Sequence, residues 1–194
     1  ELGWDVYGID PSPIAVRVAQ SRGLRRVSQG YIETADIPES FFDAVTMFHV
    51  FEHIPNPNPV LKKIQKILKP GGRLIIGVPH FRSIGSFLYG RYWAGLSFPL
   101  HYFHYDRASL ISLLGRHGFA VEKIAYANIA SDIFVSSLEA IRAISVHYKS
   151  EPCIKKISIL GNHICGAVDY LIGNCLAQWF RCGSQITVVS KNKK

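Results

Sequence analysis

The sequence predicts an α/β fold in which helices flank a doubly wound, mostly parallel sheet. Three observations lead to this prediction: strands and helices alternate through residues 1–126, one apolar strand ends at Asp10, and a second ends in a group of polar residues. Such alternation implies parallel strands joined by right-handed crossovers. Ligands of open α/β sheets bind outside the carboxyl ends of the strands, so both strand ends are candidate sites.

The first predicted strand and helix place an acid at a turn. Residues 4–10 read as a short buried strand, and Ser12 and Pro13 are typical of a helix N-cap and first helical position. A carboxylate at such a strand end can accept hydrogen bonds from both hydroxyls of a ribose. Asp10 before Pro11 can equally be a turn former, so both roles stay open.

The stretch from residue 42 to residue 54 is the most informative part of the chain. Residues 44–50 are almost wholly apolar, which is typical of a strand buried on both faces. Polar side chains then follow at His49, Glu52 and His53. The pattern predicts a functional site, and the alternative is a strand end whose polar groups cap a turn.

A helix and another strand follow this stretch. Asn58 is the expected N-cap, Pro59 lies in the first turn, and apolar residues recur at helical spacing up to a stop at 69–72. Residues 73–79 then read as a buried strand. The order completes a strand–helix–strand unit of a parallel sheet.

Residues 81–105 are named here the aromatic segment, because eight tyrosine, tryptophan and phenylalanine residues follow Phe81 within it. It also contains His101 and His104, and His80 directly precedes it. An irregular segment of this length in a compact domain is usually functional. Asp106 then caps a helix that ends at Gly118, and residues 119–126 form a strand.

The last third of the chain is predicted to be a helical insertion, residues 127–183, followed by a closing strand and basic tail, residues 184–194. Its apolar run at 157–180 is long enough to span a bilayer, but Asp169 within it makes a span costly. A helical pair that packs on the domain is the favoured interpretation. Interfacial contact with a membrane is the alternative.

Charge and cysteine content exclude some classes of function. The formal net charge is +8, but the basic residues are scattered over helix faces and the tail, so a nucleic-acid partner is not expected. The four cysteines lie in the last quarter without C-x-x-C spacing, which favours reduced thiols over a disulfide frame. No pattern of ligands requires a metal.

Several of these stretches, taken in order, resemble the class I S-adenosylmethionine-dependent methyltransferases, in particular those with a type 11 or type 12 methyltransferase domain. The resemblance covers residues 2–126. The stretches that carry it are 6–13, 42–45 with 50–54, 68–74, 99–101 and 118–119.

The resemblance implies a Rossmann-like core at residues 1–126, an antiparallel last strand and S-adenosyl-L-methionine as the cofactor. The family's first strand and glycine-rich loop would precede Glu1, so we expect the core to be incomplete at its N-terminus and residues 1–194 alone to bind the cofactor poorly. Within this sequence the resemblance assigns the ribose to Asp10, flanked by Ile9 and Pro11. The other implied cofactor positions are Tyr31 and Ile32 for adenine, and Phe48 and His49 for the methionine portion.

The implied activity is methyl transfer to a small-molecule, lipid-linked or saccharide acceptor, on oxygen or nitrogen. A histidine can remove the acceptor's proton, and His101, His49 and His53 are the candidates, with His101 first. The alternative is an inactive binding or scaffold protein on the same fold. The expected location is the cytoplasm, with peripheral membrane contact left open, and the oligomeric state does not follow from the sequence.

Overall fold

The computed structural model of the chain describes residues 3–144, Asp169 and residues 174–194. Its strands are β1 (Gly8–Asp10), β2 (Val27–Gln29), β3 (Phe42–Phe48), β4 (Leu68–Pro79), β5 (Phe119–Ala127) and β6 (Gln185–Asn192). Its helices are α1 (Pro13–Ser21), α2 (Pro57–Ile67), α3 (Ile84–Tyr89), α4 (Arg107–Arg116), α5 (Ile129–Ile144) and α6 (Asn174–Phe180).

The described strands form two sheets. β1 and β2 pair in parallel, and the larger sheet has the strand order β3-β4-β6-β5. β3 and β4 are parallel, whereas β6 lies antiparallel between β4 and β5. The α/β fold and the antiparallel last strand are therefore confirmed, while the expected single, mostly parallel sheet is divided into two.

The predicted burial of the first and third strands is wrong. β1 begins at Gly8, and the preceding Trp4 and Val6 are 71% and 55% exposed. In β3, Met47 is buried but Phe48 is 51% exposed. The reason is pairing: among the described residues, β1 is hydrogen-bonded to β2 and β3 to β4, and no described strand lies along the other edge of either.

The core lies where α2 and α4 pack against the larger sheet. The apolar face of α2, with Val60, Leu61 and Ile64, is fully buried and joins Leu114 of α4 in one cluster with the inner residues of β4, β5 and β6. The helical spacing of these apolar residues is what predicted this face. His117 Nε2 also contacts Asn58 Oδ1 at 2.9 Å, which ties the end of α4 to the start of α2.

The predicted ends of the helices are largely confirmed. The Ser12 hydroxyl accepts the Ala15 N–H, and Asp106 and Ser109 form a reciprocal capping box at the start of α4. The predicted start of α2 is wrong, because Asn56 is the N-cap and its side chain accepts the Asn58 N–H at 3.3 Å. Both asparagines precede a proline, so local sequence did not separate them.

β4 also begins earlier than predicted, at Leu68, because α2 ends at Ile67 and the chain extends without a loop. Most of the predicted apolar run at 157–180 lies outside the described residues. In the part that the structure describes, no helix combines the length and hydropathy needed to cross a membrane.

Candidate active site

The chain turns sharply where β3 ends. His49 has a φ of +52°, a left-handed conformation that is uncommon for residues other than glycine, and its N–H donates to the Gly77 carbonyl at 2.9 Å. A 3-10 turn, Phe51–His53, follows at once. Phe51 is fully buried and stacks on Tyr105 with ring centroids 5.3 Å apart. The turn is thereby anchored in the core, and its polar residues are fixed beside the strand end.

Glu52 is a buried acid inside this turn. Its side chain is 1% exposed, and neither carboxylate oxygen has a hydrogen-bond partner among the described residues. Oε1 lies 3.4 Å from Nδ1 of His49, a distance that permits an ion pair when His49 is protonated. Its main-chain carbonyl accepts the Tyr102 N–H at 2.9 Å. Glu52 therefore joins the strand end to the aromatic segment.

The aromatic segment brings His101 to the same place. The rings of His53 and His101 meet edge to face with centroids 4.7 Å apart. One ligand atom from each of Glu52, His53 and His101 lies within 4.8 Å of the others. These three residues are named here the Glu52 cluster. Two of the three predicted catalytic histidines thus contact each other directly, and His49 reaches the cluster through Glu52.

Backbone carbonyls orient both imidazoles. His53 Nδ1 lies 3.0 Å from the Leu100 carbonyl oxygen, and His101 Nδ1 lies 2.9 Å from that of Gly95. A carbonyl oxygen can only accept, so Nδ1 carries the proton in each neutral ring. The lone pair is then on Nε2, which is the atom available to take a proton or bind a cation.

The surroundings move the pKa values of two histidines in opposite directions. Burial lowers the pKa of His101, although the Gly95 carbonyl and the Glu52 charge act against it. The Glu52 carboxylate, 3.4 Å from the His49 ring, is the main cause that raises the pKa of His49. At neutral pH His101 is accordingly the unprotonated imidazole, which is the form that a general base requires.

The Glu52 cluster also has the chemistry of a cation site. Two imidazoles and one carboxylate are donors that divalent transition metals accept. The sequence alone did not indicate this donor set, because His101 is distant along the chain from Glu52 and His53. The three side chains could hold a divalent cation.

The predicted ribose ligand lies at the end of β1. Asp10 is half-buried, and its Oδ1 accepts the Ser12 N–H at 2.8 Å. This bond is that of a turn former, so the structure shows the turn role, and the ribose role stays a prediction. Ile9 is half-buried beside it and Pro11 is exposed.

The other predicted cofactor residues lie in different surroundings. Tyr31 is 63% exposed, whereas Ile32 packs against the core, so they do not line one open surface together. Phe48 lies over Gly77, where an added Cβ would come within 2.5 Å of the Phe48 ring. Glycine at position 77 therefore leaves room for this half-exposed ring.

Sequence reasoning missed the groups that orient the histidines. Main-chain carbonyls at Gly95 and Leu100 carry no side-chain signal, and their direction depends on the fold of the aromatic segment. Asp132, which binds the Trp93 indole N–H at 2.8 Å, was also missed. An isolated acid in an apolar helical stretch was the signal that could have found it.

Replacing Glu52 with glutamine tests the electrostatics of the site. Because Glu52 is the main cause of the raised pKa of His49, we expect that pKa to fall in Glu52→Gln. The stability contributed by this pair is present below the ordinary histidine pKa of 6.5 and is lost as pH rises through the folded value. An NMR titration of His49 measures the shift, with His117 as the internal control. An unchanged His49 pKa would show that the two side chains do not interact in solution.

The strand order and the site at the carboxyl ends of parallel strands define the class I fold of S-adenosylmethionine-dependent methyltransferases. A family model described as "Methyltransferase domain" matches residues 1–124. The chain therefore belongs to this methyltransferase domain family, whose cofactor is S-adenosyl-L-methionine.

Solved structures and curated relatives agree with this assignment. An S-adenosylmethionine-dependent methyltransferase of Thermotoga maritima, described as a possible histamine N-methyltransferase, has a TM-score of 0.63 at 17% identity and is matched over 97% of this chain and 73% of its own. The [4+2]-cyclase SpnF has a TM-score of 0.56 at 18% identity, over 97% of this chain and 66% of its own. Likeness at these identities shows the fold.

A curated relative is the ubiquinone biosynthesis O-methyltransferase of Xanthomonas oryzae pv. oryzae. It is 33% identical over 81 residues, which are 39% of this chain and 34% of the relative. The match thus spans about a third of the relative's length.

Proposed function

We propose that this protein transfers a methyl group from S-adenosylmethionine to a hydroxyl oxygen of a small-molecule acceptor, with His101 as the general base. The observation that carries the proposal is the state of His101: its pKa is lowered by burial, Nδ1 is bound to the Gly95 carbonyl, and Nε2 is left to accept a proton. The O-methyltransferase names of the relatives support oxygen as the methylated atom.

In this proposal the protein orients the acceptor and removes one proton. When bound, S-adenosylmethionine supplies an activated methyl group on its sulfonium sulfur. His101 Nε2 would accept the proton of the acceptor hydroxyl, so that the oxygen could take the methyl group that bound S-adenosylmethionine would supply. Glu52 lies close enough to stabilise the resulting imidazolium. Alignment of oxygen, carbon and sulfur contributes most of the remaining acceleration.

For the cofactor we propose the seven positions that the sequence resemblance implies. Asp10 holds the ribose, with Ile9 and Pro11 beside it, and the exposed Tyr31 lies against adenine. Ile32, which packs against the core, is the second adenine position. Phe48 and His49 flank the methionine portion at the end of β3, and the close approach of the Phe48 ring to Gly77 supports this assignment.

An apolar or lipid-linked acceptor fits the surface around the aromatic segment. Phe87 and Phe98 are 87% and 88% exposed, and Trp179 on α6 is 83% exposed. We propose that the acceptor enters beside the aromatic segment and α5, which together form one wall of its site. We also propose saccharides as possible acceptors. As to location, we propose a cytoplasmic protein that can contact a membrane surface peripherally.

The second candidate function is a catalytically inactive binding protein. We keep this candidate because a protein of similar fold is described as a [4+2]-cyclase. The same architecture can therefore serve a role other than methyl transfer. Binding of S-adenosylmethionine without turnover would identify this function.

A labelled-methyl assay tests the proposed function. The full-length protein is incubated with methyl-labelled S-adenosylmethionine and a pair of aromatic acceptors that differ only in a hydroxyl or an amino group. We expect label on the hydroxyl compound and little on the amine. Label on the amine alone would overturn oxygen as the nucleophile. Bound cofactor without transfer to any hydroxylated, lipid-linked or saccharide acceptor would favour the inactive protein.

A further inference from the structure

Side-chain hydrogen bonds among the described residues fasten the aromatic segment to one face of α5. They join Trp93 Nε1 to Asp132 Oδ1 at 2.8 Å, the Ala94 N–H to Ser136 Oγ at 3.2 Å, and Tyr89 Oη to Ser137 Oγ at 2.5 Å. The segment is long and irregular, and these bonds attach it to α5. Of these bonds, the Trp93–Asp132 bond is the one whose acceptor is a carboxylate.

Trp93 is the buried centre of the aromatic segment. Its side chain is 2% exposed, and the Gly95 backbone lies so close to the indole ring that an added Cβ would overlap it. The Leu96 N–H donates to the Trp93 carbonyl at 3.0 Å. A shift of the indole must therefore shift the backbone of Gly95 and Leu96.

Those two residues carry the carbonyls that hold the histidines. His101 Nδ1 bonds to the Gly95 oxygen at 2.9 Å, and His104 Nε2 lies 3.0 Å from the Leu96 oxygen. A continuous series of contacts therefore runs from α5 to the candidate base. Its members, in order, are Asp132, Trp93, Gly95 and His101.

We propose that Asp132 is a positioning residue for His101, acting through the Trp93 indole and the Gly95 carbonyl to aim Nε2 of His101 at the acceptor. The proposal rests on the proposed function of His101. It goes beyond that function by assigning a role in the reaction to a residue of α5 that does not itself contact the Glu52 cluster within the described residues.

The environment of Asp132 is costly for a carboxylate. Burial raises its pKa to about 6, the Trp93 N–H and the Ser83 hydroxyl act to lower it, and the charge of Asp169 raises it further. Because the folded pKa lies above the ordinary value of 3.8, stability falls as pH rises from about 4 to about 6 and stays lower above that range. Because the ionised Asp132 carboxylate lowers stability above about pH 6, a purely structural role does not explain why an acid stands at this buried position.

Asp132→Asn separates positioning from stability. Asparagine keeps an oxygen for the Trp93 N–H but removes the charge, so the bond weakens while the buried charge disappears. We expect the variant to be at least as thermally stable as the wild type at pH 8. We also expect kcat to fall at least about 5-fold, because small misplacements of a catalytic group cost up to about 100-fold. The Kd for S-adenosylmethionine should not change.

Ser137→Ala is the matched control, because it removes another bond between α5 and the aromatic segment without touching Trp93. Its kcat should stay within about 2-fold of the wild type, below the smallest loss expected for a misplaced base. Trp93→Phe, which keeps a ring but lacks the indole N–H, should show the loss of Asp132→Asn. The double variant Asp132→Asn/Trp93→Phe should be no slower than the worse single variant.

An NMR experiment tests the path without any turnover. The Trp93 indole N–H resonance should titrate with a midpoint near 6 in the wild type and lose that titration in Asp132→Asn. The His101 ring resonances should shift in Asp132→Asn and stay in place in Ser137→Ala. This result supports the path even if His101→Gln remains fully active, in which case only the role of His101 as base is wrong.

Two results would overturn the proposal. One is a His101 resonance that is the same in the wild type and in folded Asp132→Asn. The other is an equal loss of kcat in Asp132→Asn and Ser137→Ala, which would assign both residues to general attachment of the segment.

Discussion

His101→Gln should lower kcat by about 10² to 10⁴, the usual contribution of a positioned general base. Glutamine can still donate to the Gly95 carbonyl, so the fold of the aromatic segment should be kept, but it cannot accept a proton at neutral pH. Cofactor affinity should be unchanged, because His101 belongs to the acceptor side of the site. Single-turnover kinetics with saturating S-adenosylmethionine measure the effect on the chemical step.

His104→Gln is the control for this variant. His104 lies in the same segment and contacts the Leu96 carbonyl in the way that His101 contacts the Gly95 carbonyl. It is not a member of the Glu52 cluster, so its replacement should leave kcat nearly unchanged. Equal losses in the two variants would mean that the segment needs its histidines for structure, and the role of His101 as base would be abandoned.

Asp10→Ala should weaken S-adenosylmethionine binding by about 1.5 to 3 kcal/mol, the range for hydrogen bonds to a charged group. This corresponds to about a 10- to 150-fold rise in Kd, which calorimetry on the full-length protein can measure. The physical reason is the loss of a carboxylate that accepts from the ribose hydroxyls. An unchanged Kd would leave Asp10 with its turn role alone.

The turn role needs its own control, because Asp10 Oδ1 also accepts the Ser12 N–H. Asp10→Asn keeps an oxygen for that bond and removes the charge. We expect its thermal stability to match the wild type and its cofactor affinity to fall. Loss of affinity in Asp10→Ala with full affinity in Asp10→Asn would show that the turn, and not the charge, is what the cofactor requires.

Features that depend on a few neighbouring residues were predictable. The caps at Ser12 and Asp106 were read from the chain, because a hydroxyl or carboxylate that accepts a nearby N–H needs no distant partner. The choice between Asn56 and Asn58 failed at the same level, since each precedes a proline and tertiary packing decides which one starts the helix.

Features that depend on distant pairing were not predictable. The apolar composition of β3 indicated burial on both faces, but exposure of Phe48 depends on which strands lie beside it. The candidate site shows the same limit. His49, Glu52, His53 and His101 were each noticed in the sequence, yet the contact of His53 with the Leu100 carbonyl joins residues 47 positions apart. Only such contacts show which nitrogen of each imidazole is free.

The pH dependence of methyl transfer under single-turnover conditions is the most direct test of the account. If neutral His101 is the base, the rate in the wild type should fall as pH decreases through a pKa below the ordinary value of 6.5, because protonation removes the Nε2 lone pair. The residual rate of His101→Gln should lack that pKa. A wild-type rate that keeps the same value from pH 8 to pH 5, or a His101→Gln variant with the same profile as the wild type, would contradict the account.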